Sequence, residues 1–211
     1  MSLFFHEKLH RTDEVVERMQ ATAVTLCGAG ALGANIAESL ARAGFQTFTL
    51  IDDDRVEERN LSTQPYQRGD IGALKAKMMA NMLYRAVGAQ VEARTQRLTA
   101  ATAARLLGGS TLVVDTFDNS GSRRLVQDWC AEAGTPCLHV GLASDYAEVI
   151  WNEQYRVPSP ANDDVCDYPL ARNLVTLAVS VACEVLIDFV ATGSRRSYTV
   201  TLADFAVRPF V

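Results

Sequence analysis

The stretch from Ala23 to Asp54 constrains the fold of this chain more than any other part of it. It begins with a β-rich segment, residues 23–27, and continues with the glycine-spaced turn Gly28-Ala-Gly-Ala-Leu-Gly33 and an apolar-periodic run. A second apolar run, residues 45–51, ends in three aspartates. A strand, a turn, a helix and a second strand in this order predict one βαβ unit of about 30 residues.

The spacing of the glycines is typical of a nucleotide-binding turn. Gly28 permits a tight turn, Gly30 lets the backbone approach a phosphate, and Gly33 lets helix and strand pack closely. The helix that follows would direct its free N–H groups and its positive dipole end at an anion. Asp52 stands nineteen residues after Gly33, at the tip of the second strand, where a carboxylate can accept hydrogen bonds from ribose hydroxyls. We therefore predict nucleotide binding; the alternative is a purely structural glycine turn.

The bulk composition narrows the class of protein. A length of 211 residues with 48% hydrophobic and 21% charged residues predicts one globular domain with a sizeable core and excludes a disordered chain. A net charge of −5, with both signs spread along the chain, offers no basic face for nucleic acid. Glu184 and Asp188 interrupt the most apolar run, so it predicts a core helix and no membrane span.

Cysteine usage and the N-terminus predict the compartment. Five cysteines without a CxxC pair argue against a disulfide framework. The first residues are too short and too polar a stretch to be a signal peptide. We expect a cytoplasmic protein.

The rest of the chain continues the α/β pattern and predicts a single domain over residues 1–211. Repeated strand–helix pairs through residue 140 predict a Rossmann-like, mostly parallel sheet with helices on both faces. Three parts are expected within it: an N-terminal leader helix over 1–20 capped by Thr12, a core over 22–140, and an antiparallel C-terminal extension over 141–211. The extension is predicted to hold a hairpin of residues 147–151 and 155–157, a crossover loop over 158–169, a long helix over about 170–192 and two last strands.

Polar residues collect where the predicted strands end. Residues 55–66 form a polar loop at the C-terminal end of a parallel strand, where open α/β sheets place ligands. Lys75 opens the next helix, where a cation opposes the dipole, which favours a ligand role over a solvated lysine. Asp115 and Asp118 leave the tip of a central strand, which is costly unless they are paired, hydrated or bound to a cation. His139, in an apolar stretch, is expected to be a satisfied core histidine.

Five short motifs occur in a fixed order between residues 22 and 120. In order and spacing they resemble the ThiF/MoeB/HesA superfamily, the ubiquitin-activating-enzyme-like adenylyltransferases, and the long helix near 171–192 also fits. The motifs are Gly28-Ala-Gly-Ala-Leu-Gly33, Asp52-Asp-Asp54 with Val56-Glu57, Asn60-Leu-x-x-Gln64, Asp70-Ile-Gly-x-x-Lys75-Ala76 and Asp115-x-x-Asp118-Asn119.

The resemblance implies an activity and a set of ligands. It implies that ATP and Mg²⁺ are bound and that the C-terminal carboxylate of a ubiquitin-like or sulfur-carrier protein is adenylated, in a homodimer. Asp52 resembles the ribose-binding acid, Asn60 and Lys75 the phosphate-contacting pair, and Asp118 the aspartate that holds the metal. The further nucleotide-binding positions carried over are Gly28, Gly30, Ala31, Leu32, Gly33, Asp54, Gln64 and Asn119.

The physical chemistry of adenylation agrees with these roles. A carboxylate attacks the α-phosphorus in line, so two anions must be brought together while cationic groups neutralise the departing pyrophosphate. No general base is needed, because a carboxylate is already ionised at neutral pH. Positioning and electrostatics are therefore the catalytic task.

The chain departs from the family at one loop position. The family loop is usually Asn-Leu-x-Arg-Gln, with an arginine that helps to hold the triphosphate, and here this residue is Thr63. Arg59 or Arg68 of the same loop could supply the charge, and they complete a catalytic set with Lys75, Asp118 and Asn60. Arg11 or Arg18 of a second copy could assist. Without a substitute, catalysis could fall by roughly 10³-fold while nucleotide still binds.

Two cysteine features of relatives bear on the chain. The paired CxxC zinc motifs are absent, so we predict no structural zinc. Cys166 lies where relatives carry a cysteine that bonds to the carrier protein. Its neighbours Asp163, Asp164 and Asp167 disfavour a thiolate, so an incidental loop cysteine is the simpler interpretation.

Two alternatives to adenylation stay open at this point. An NAD-dependent oxidoreductase shares the glycine turn and the strand-tip acid, but the chain has no Ser-Tyr-x-x-x-Lys motif, no obvious catalytic histidine and no separate substrate domain. A non-catalytic nucleotide-binding scaffold is suggested by Thr63.

Overall fold

The computed structural model describes residues 2–159 and 170–211. The strands are β1 (Ala23–Cys27), β2 (Thr47–Ile51), β3 (Gln90–Arg94), β4 (Val113–Asp115), β5 (Cys137–Ala143), β6 (Tyr146–Trp151), β7 (Tyr198–Thr201) and β8 (Ala206–Pro209). The helices are α1 (Phe5–Arg11), α2 (Asp13–Ala21), α3 (Ala31–Ala43), α4 (Lys75–Val87), α5 (Ala103–Leu107), α6 (Ser120–Ala133) and α7 (Arg172–Thr192). Two 3₁₀ turns, Glu58–Ser62 and Arg68–Asp70, lie between β2 and α4.

The strands form one sheet in the order β3-β2-β1-β4-β5-β6-β7-β8. The first five are parallel to their neighbours, and β6, β7 and β8 are added antiparallel. This confirms the predicted Rossmann-like sheet with an antiparallel extension. The chain moves outward from β1 to β3 and then returns to place β4 on the other side of β1. The C-terminal ends of β1 and β4 therefore border the crevice at which such sheets bind ligands.

Two hydrophobic clusters cover the two faces of the sheet. The larger cluster contains Leu26, Val114 and Leu138 together with buried residues of α3, α4 and α7, and the smaller contains Cys27, Val113 and Cys137 with α5 and α6. Neighbouring residues of one strand point to opposite faces, as the pleat requires.

Helix α7 belongs to the larger cluster. Among the described residues it is the one helix whose length and hydropathy of 2.2 would suit a membrane span, and half of that window is buried. It packs against α2, α3 and β6, so it serves here as a core helix.

The predicted leader helix is in fact two helices. Thr12 separates α1 from α2 with a φ of +97°, and its hydroxyl accepts a hydrogen bond from the Val15 amide, so the predicted cap is present. The chain direction changes there because Thr12 cannot continue α1 from this backbone conformation.

The predicted hairpin was wrong in its second arm. Strand β6 pairs with β5 and β7, whereas residues 155–157 form no strand. After Trp151 the chain turns, with the Gln154 amide donating to the Trp151 carbonyl, and Tyr155 stacks on His139. Most of the 158–169 loop, including Cys166, lies outside the described residues.

Candidate nucleotide-binding site

The glycine turn packs tightly against the loop that follows β4. Gly28 has a φ of +97°, and a Cβ added there would lie 2.9 Å from Thr116 Oγ1. A Cβ added to Gly33 would lie 2.0 Å from the Gly28 carbonyl oxygen and 2.6 Å from Thr116 Oγ1. The Thr116 amide and hydroxyl both donate to the Cys27 carbonyl at 2.9 Å. Gly28 and Gly33 are therefore required by the fold itself.

Gly30 has different surroundings. Apart from its two chain neighbours, no heavy atom of the described residues lies within 4 Å of the position that its Cβ would occupy. Gly30 precedes α3, and no side chain in the described part of the chain caps this helix. The first amides of α3, including those of Ala31 and Leu32, therefore lack intrahelical partners beside open space. Uncapped amides at the positive end of a helix suit an anion such as phosphate.

Asp52 connects the end of β2 to the glycine turn. Its carboxylate accepts hydrogen bonds from the Ala29 amide at 2.7 Å and from the Asp54 amide at 2.9 Å, and the residue is 8% exposed. Burial raises the pKa of this carboxyl above its ordinary value, while the Ala29 amide and the charge of Lys75 oppose the rise. Asp52 thus has a structural role that the sequence pattern did not reveal, and each oxygen keeps a lone pair for a further donor.

Lys75 is buried at the start of α4, and Asp54 holds it. Lys75 Nζ lies 2.9 Å from Asp54 Oδ2, and the two side chains are 9% and 68% exposed. The Lys75 amide also donates to the Asp54 carbonyl at 3.0 Å. Within the described part of the chain the ammonium makes this one side-chain hydrogen bond, so two of its three donors remain for a ligand. The structure thus brings Asp54 and Lys75 into contact, with Asp52 close enough for the charge of Lys75 to oppose the rise in its pKa.

The loop between β2 and α4 is organised by Asn60. Its side-chain oxygen accepts from the Glu57 amide at 2.9 Å, and the Glu57 carboxylate accepts from the Asn60 amide, which forms a capping box. The motif asparagine therefore shapes its own loop, and its side-chain oxygen is used in doing so. The side-chain NH₂ group of Asn60 remains the part that can meet a phosphate.

The next residues of this loop are buried against α3. Asn35 donates to the Thr63 carbonyl at 2.9 Å, and Tyr66 donates its hydroxyl to the Ala29 carbonyl at 2.8 Å. Gln64 is 8% exposed, and its Oε1 has no hydrogen-bond donor among the described residues. A buried acceptor without a donor is destabilising by about 1–3 kcal/mol, and a bound ligand or water commonly satisfies it.

The two carboxylates at the end of β4 have different environments. Asp115 is fully buried and lies 2.8 Å from His139 Nδ1, so it is paired. Asp118 is exposed, and within residues 2–159 and 170–211 its carboxylate has one hydrogen-bond contact, the side-chain amide of Asn119 at 3.5 Å. Asn119 caps α6 through its oxygen, which accepts from the Ser122 amide at 2.8 Å. Asp118 is therefore the carboxylate that is free to hold a cation, and His139 is the satisfied core histidine that was expected.

The arginines proposed as substitutes at position 63 are held to different degrees. Arg59 pairs with Glu57 at 2.6 Å, whereas Arg68 is 86% exposed and lies 3.9 Å from Glu58. Arg11 is bound by Glu184 and Glu7, and Arg18 by Glu14 and the Ala191 carbonyl. The two N-terminal arginines are thus engaged within their own chain, and Arg68 is the most loosely paired of the four.

This geometry can be set beside known proteins. A model of the ThiF family matches residues 7–166, which is well over half of the chain. The chain belongs to the ThiF family. ThiF-family relatives include the sulfur carrier protein adenylyltransferase of Thermus thermophilus, 37% identical over 125 residues, and the SAMP-activating enzyme E1 of Haloferax volcanii, 34% identical over 125 residues. Each match covers 58% of this chain and 46% of the relative.

A third, longer relative is also named as an adenylyltransferase. The adenylyltransferase and sulfurtransferase MOCS3 of Bos taurus is 39% identical over 124 residues, covering 57% of this chain and 27% of that protein. The matched region thus spans less than half the length of each of these relatives.

Solved structures support the ThiF fold. E. coli MccB with ATP superposes with a TM-score of 0.83 and 18% identity, covering 100% of this chain and 71% of MccB. PaaA superposes with a TM-score of 0.75 and 19% identity, covering 97% of this chain and 68% of PaaA. At these identities the likeness is one of fold alone. In the described residues of this chain, no group of three His, Cys, Asp or Glu side chains is placed to hold a metal ion.

Proposed function

We propose that this ThiF-family chain binds ATP in the crevice between β1 and β4 and transfers its adenylyl group to the C-terminal carboxylate of a ubiquitin-like or sulfur-carrier protein. The observation that carries the proposal is the open space at Gly30 beside the uncapped start of α3. The buried Lys75 lies close enough to act on Asp52, which is hydrogen-bonded to the same glycine turn. A purely structural turn would have no need for space at the middle glycine.

The residues that surround the crevice fit ATP. Gly30 and the first amides of α3 would bind a phosphate, and Lys75 would add positive charge without being neutralised completely by the largely exposed Asp54. The oxygens of Asp52 would accept from ribose hydroxyls. The unpaired Oε1 of Gln64 is a further polar atom that needs a donor.

Asp118 is the residue proposed to hold Mg²⁺. It is an exposed carboxylate at the end of a central strand, and Mg²⁺ commonly binds one or two carboxylates together with substrate phosphates. When bound, the ion would supply positive charge to the phosphate oxygens. This arrangement needs one protein carboxylate, so it is compatible with the absence of a three-residue metal cluster from the described residues.

The chemistry asked of this chain is positioning. Lys75, Asn60 and a loop arginine would stabilise negative charge as the α-phosphorus is attacked by the carrier's carboxylate. Arg68 is our choice for that arginine, because its pairing with Glu58 is loose. The attacking carboxylate is already ionised, so no side chain has to remove a proton.

The proposal extends to assembly and location. The relatives named as sulfur-carrier and SAMP-activating enzymes suggest a small carrier protein as partner. We also propose a homodimer in the cytoplasm, where the four described cysteines, all buried, would stay as thiols.

One observation favours a second candidate function, a nucleotide-binding scaffold without catalysis. Thr63 is buried at the position of the family arginine, and Arg11 and Arg18 are engaged within their own chain. Such a chain would bind ATP but would need an active partner.

The test is ATP–pyrophosphate exchange with a panel of ubiquitin-like carrier proteins, paired with thermal shifts in ATP and in NAD. We expect exchange with at least one carrier and a larger shift with ATP. Asp118→Ala and Lys75→Ala should each abolish exchange, while Arg42→Ala, in the surface pair with Glu38 far from the crevice loops, serves as the control. Binding of ATP without exchange would favour the scaffold, and a larger shift with NAD would contradict both candidates.

A further inference from the structure

A buried polar cluster lies beneath the candidate site. It comprises Asp115 at the end of β4, His139 on β5, Arg123 on α6, and Asn152 and Tyr155 after β6. Val113 and Cys137 belong to the smaller hydrophobic cluster, on the α6 face of the sheet. Asp115 and His139 stand two residues after them on the same strands, so their side chains point to the same face. Both are fully buried. A polar cluster at this depth is costly unless each member is satisfied.

His139 is placed between two oxygen acceptors. Its Nδ1 lies 2.8 Å from Asp115 Oδ2, and its Nε2 lies 2.7 Å from Asn152 Oδ1. The orientation of Asn152 is fixed because its Nδ2 donates to the Gln127 carbonyl at 3.3 Å. The ring therefore joins Asp115 on one side to Asn152 on the other, and its Nε2 also lies 3.5 Å from Cys137 Sγ.

Charged groups on the neighbouring elements surround this ring. Asp115 of β4 is the direct anion, and Glu148 of β6 is a second carboxylate in the same field. Arg123 of α6 lies 3.9 Å from Asp115 and donates to Tyr155 Oη at 2.9 Å. The Tyr155 ring stacks on His139 with centroids 3.8 Å apart and 7° between the planes. Asp115 thus contacts both Arg123 and His139, and the Tyr155 ring closes the cluster.

Asp115 links this cluster to the loop that carries Asp118. Its Oδ1 accepts a hydrogen bond from the Phe117 amide at 3.1 Å. The other end of the loop is held by α6, whose Arg123 donates to the Val140 carbonyl at 3.0 Å. The backbone on both sides of Asp118 is therefore tied to buried groups, while the Asp118 side chain remains exposed.

We infer that His139 is a positioning residue for Asp118: it fixes the carboxylate of Asp115, and Asp115 fixes the backbone that presents Asp118 to the nucleotide and its metal. This inference rests on the proposed function. Groups that orient the residues around a metal commonly change metal affinity or activity by about 10–100-fold when they are replaced.

Two substitutions of similar size separate positioning from bulk stability. His139→Asn places an amide N–H near the position of Nδ1 and keeps a donor to Asp115, whereas His139→Gln places it near Nε2 and keeps the donor to Asn152. We expect His139→Gln to raise the Mg²⁺ concentration at half-maximal exchange by about 10–100-fold and His139→Asn to change it by less than about threefold. Equal losses in the two variants would overturn the inference. Thr25→Val, which removes a part-buried hydrogen bond between the middle of β1 and Ser110, controls for destabilisation.

Two readouts do not depend on activity. In the wild-type chain, ¹⁵N spectra of the histidine rings should show a proton on His139 Nδ1, the nitrogen that faces Asp115, and an Nδ1 without a proton would overturn the inference even if no variant folds. Hydrogen exchange at the Phe117 amide should accelerate at least tenfold in His139→Gln and stay near wild type in His139→Asn. If the wild type shows no pyrophosphate exchange, adenylation fails, but these two measurements still decide whether His139 orders the loop.

Discussion

Replacing Gly30 or Gly33 with alanine adds one methyl group to the same turn, but the surroundings of the two glycines differ. At Gly33 the new Cβ would lie 2.0 Å from a backbone carbonyl oxygen, which cannot rotate away, so the turn must open. Overpacking of this kind destabilises by about 3 kcal/mol, offset by about 1 kcal/mol from the better helix propensity of alanine. A net loss of about 2 kcal/mol lowers the melting temperature of a chain of this length by about 4–8 °C.

At Gly30 the methyl group meets no non-neighbouring atom of residues 2–159 and 170–211 within 4 Å, and the φ of −83° suits alanine. We therefore expect a stability change within about 0.5 kcal/mol, because the weaker helix cap and the reduced entropy of the unfolded chain roughly cancel. The methyl group would instead occupy space that a phosphate needs. The affinity for ATP should fall at least about tenfold, which corresponds to about 1.4 kcal/mol.

The assay is a pair of measurements on both variants: thermal unfolding without ligand, and titration with ATP by calorimetry. Gly30→Ala should melt as the wild type does and bind ATP weakly, and Gly33→Ala should melt early. If Gly30→Ala binds ATP with unchanged affinity, phosphate does not lie at this turn and the reasoning fails. If Gly33→Ala is as stable as the wild type, the packing of the turn against Thr116 is not as described.

Three further predictions concern single side chains. Lys75→Met should keep the fold, because the buried aliphatic chain is retained and the former partner Asp54 is largely exposed. The same change should lower the rate of pyrophosphate exchange at least about 100-fold. A loss of activity explained by a lowered melting temperature would contradict this prediction. Burial raises the pKa of Asp52, so its stabilising contribution is present below about pH 4 and is lost as the pH rises through its folded-state pKa. Ribose hydroxyls would favour the ionised form of Asp52, so the affinity for ATP should rise as the pH rises through the pKa of this carboxyl. Calorimetry in two buffers should detect the proton that is released on binding. An ATP affinity that does not change with pH would exclude a ribose role for Asp52. Thr63→Arg should raise the rate of pyrophosphate exchange about tenfold or more if no other loop residue supplies the positive charge. If Thr63→Arg gives no gain and Arg68→Ala loses activity, Arg68 supplies that charge.

The local periodicities predicted most of the elements. The glycine turn predicted the first βαβ unit, which the structure has as β1, α3 and β2. The errors fell where long-range contacts decide the backbone. Residues 155–157 looked like a strand, but Tyr155 instead closes the buried cluster around His139.

The candidate site was predicted as a set of residue types and only partly as a set of roles. The sequence could select Asp52, Lys75 and Asp118 because a carboxylate at a strand end or a lysine at a helix start is unfavourable unless a partner or a ligand stabilises its charge. The sequence could not reveal that the side-chain oxygens of Asn60 and Asn119 accept hydrogen bonds from backbone amides as caps. A cap is recognised only when the structure shows which amide lies within hydrogen-bond distance.

The sequence by itself determined the sheet type, the glycine turn and the family, because all three depend on spacing along the chain. Only the tertiary structure decided which carboxylate is free. Asp115 and Asp118 stand three residues apart and look equivalent in the sequence, but Asp115 points into the α6 face against His139 whereas Asp118 stays in solvent. The partner of Asp115 comes from the next strand of the sheet, twenty-four residues along the chain, and no local pattern records that contact.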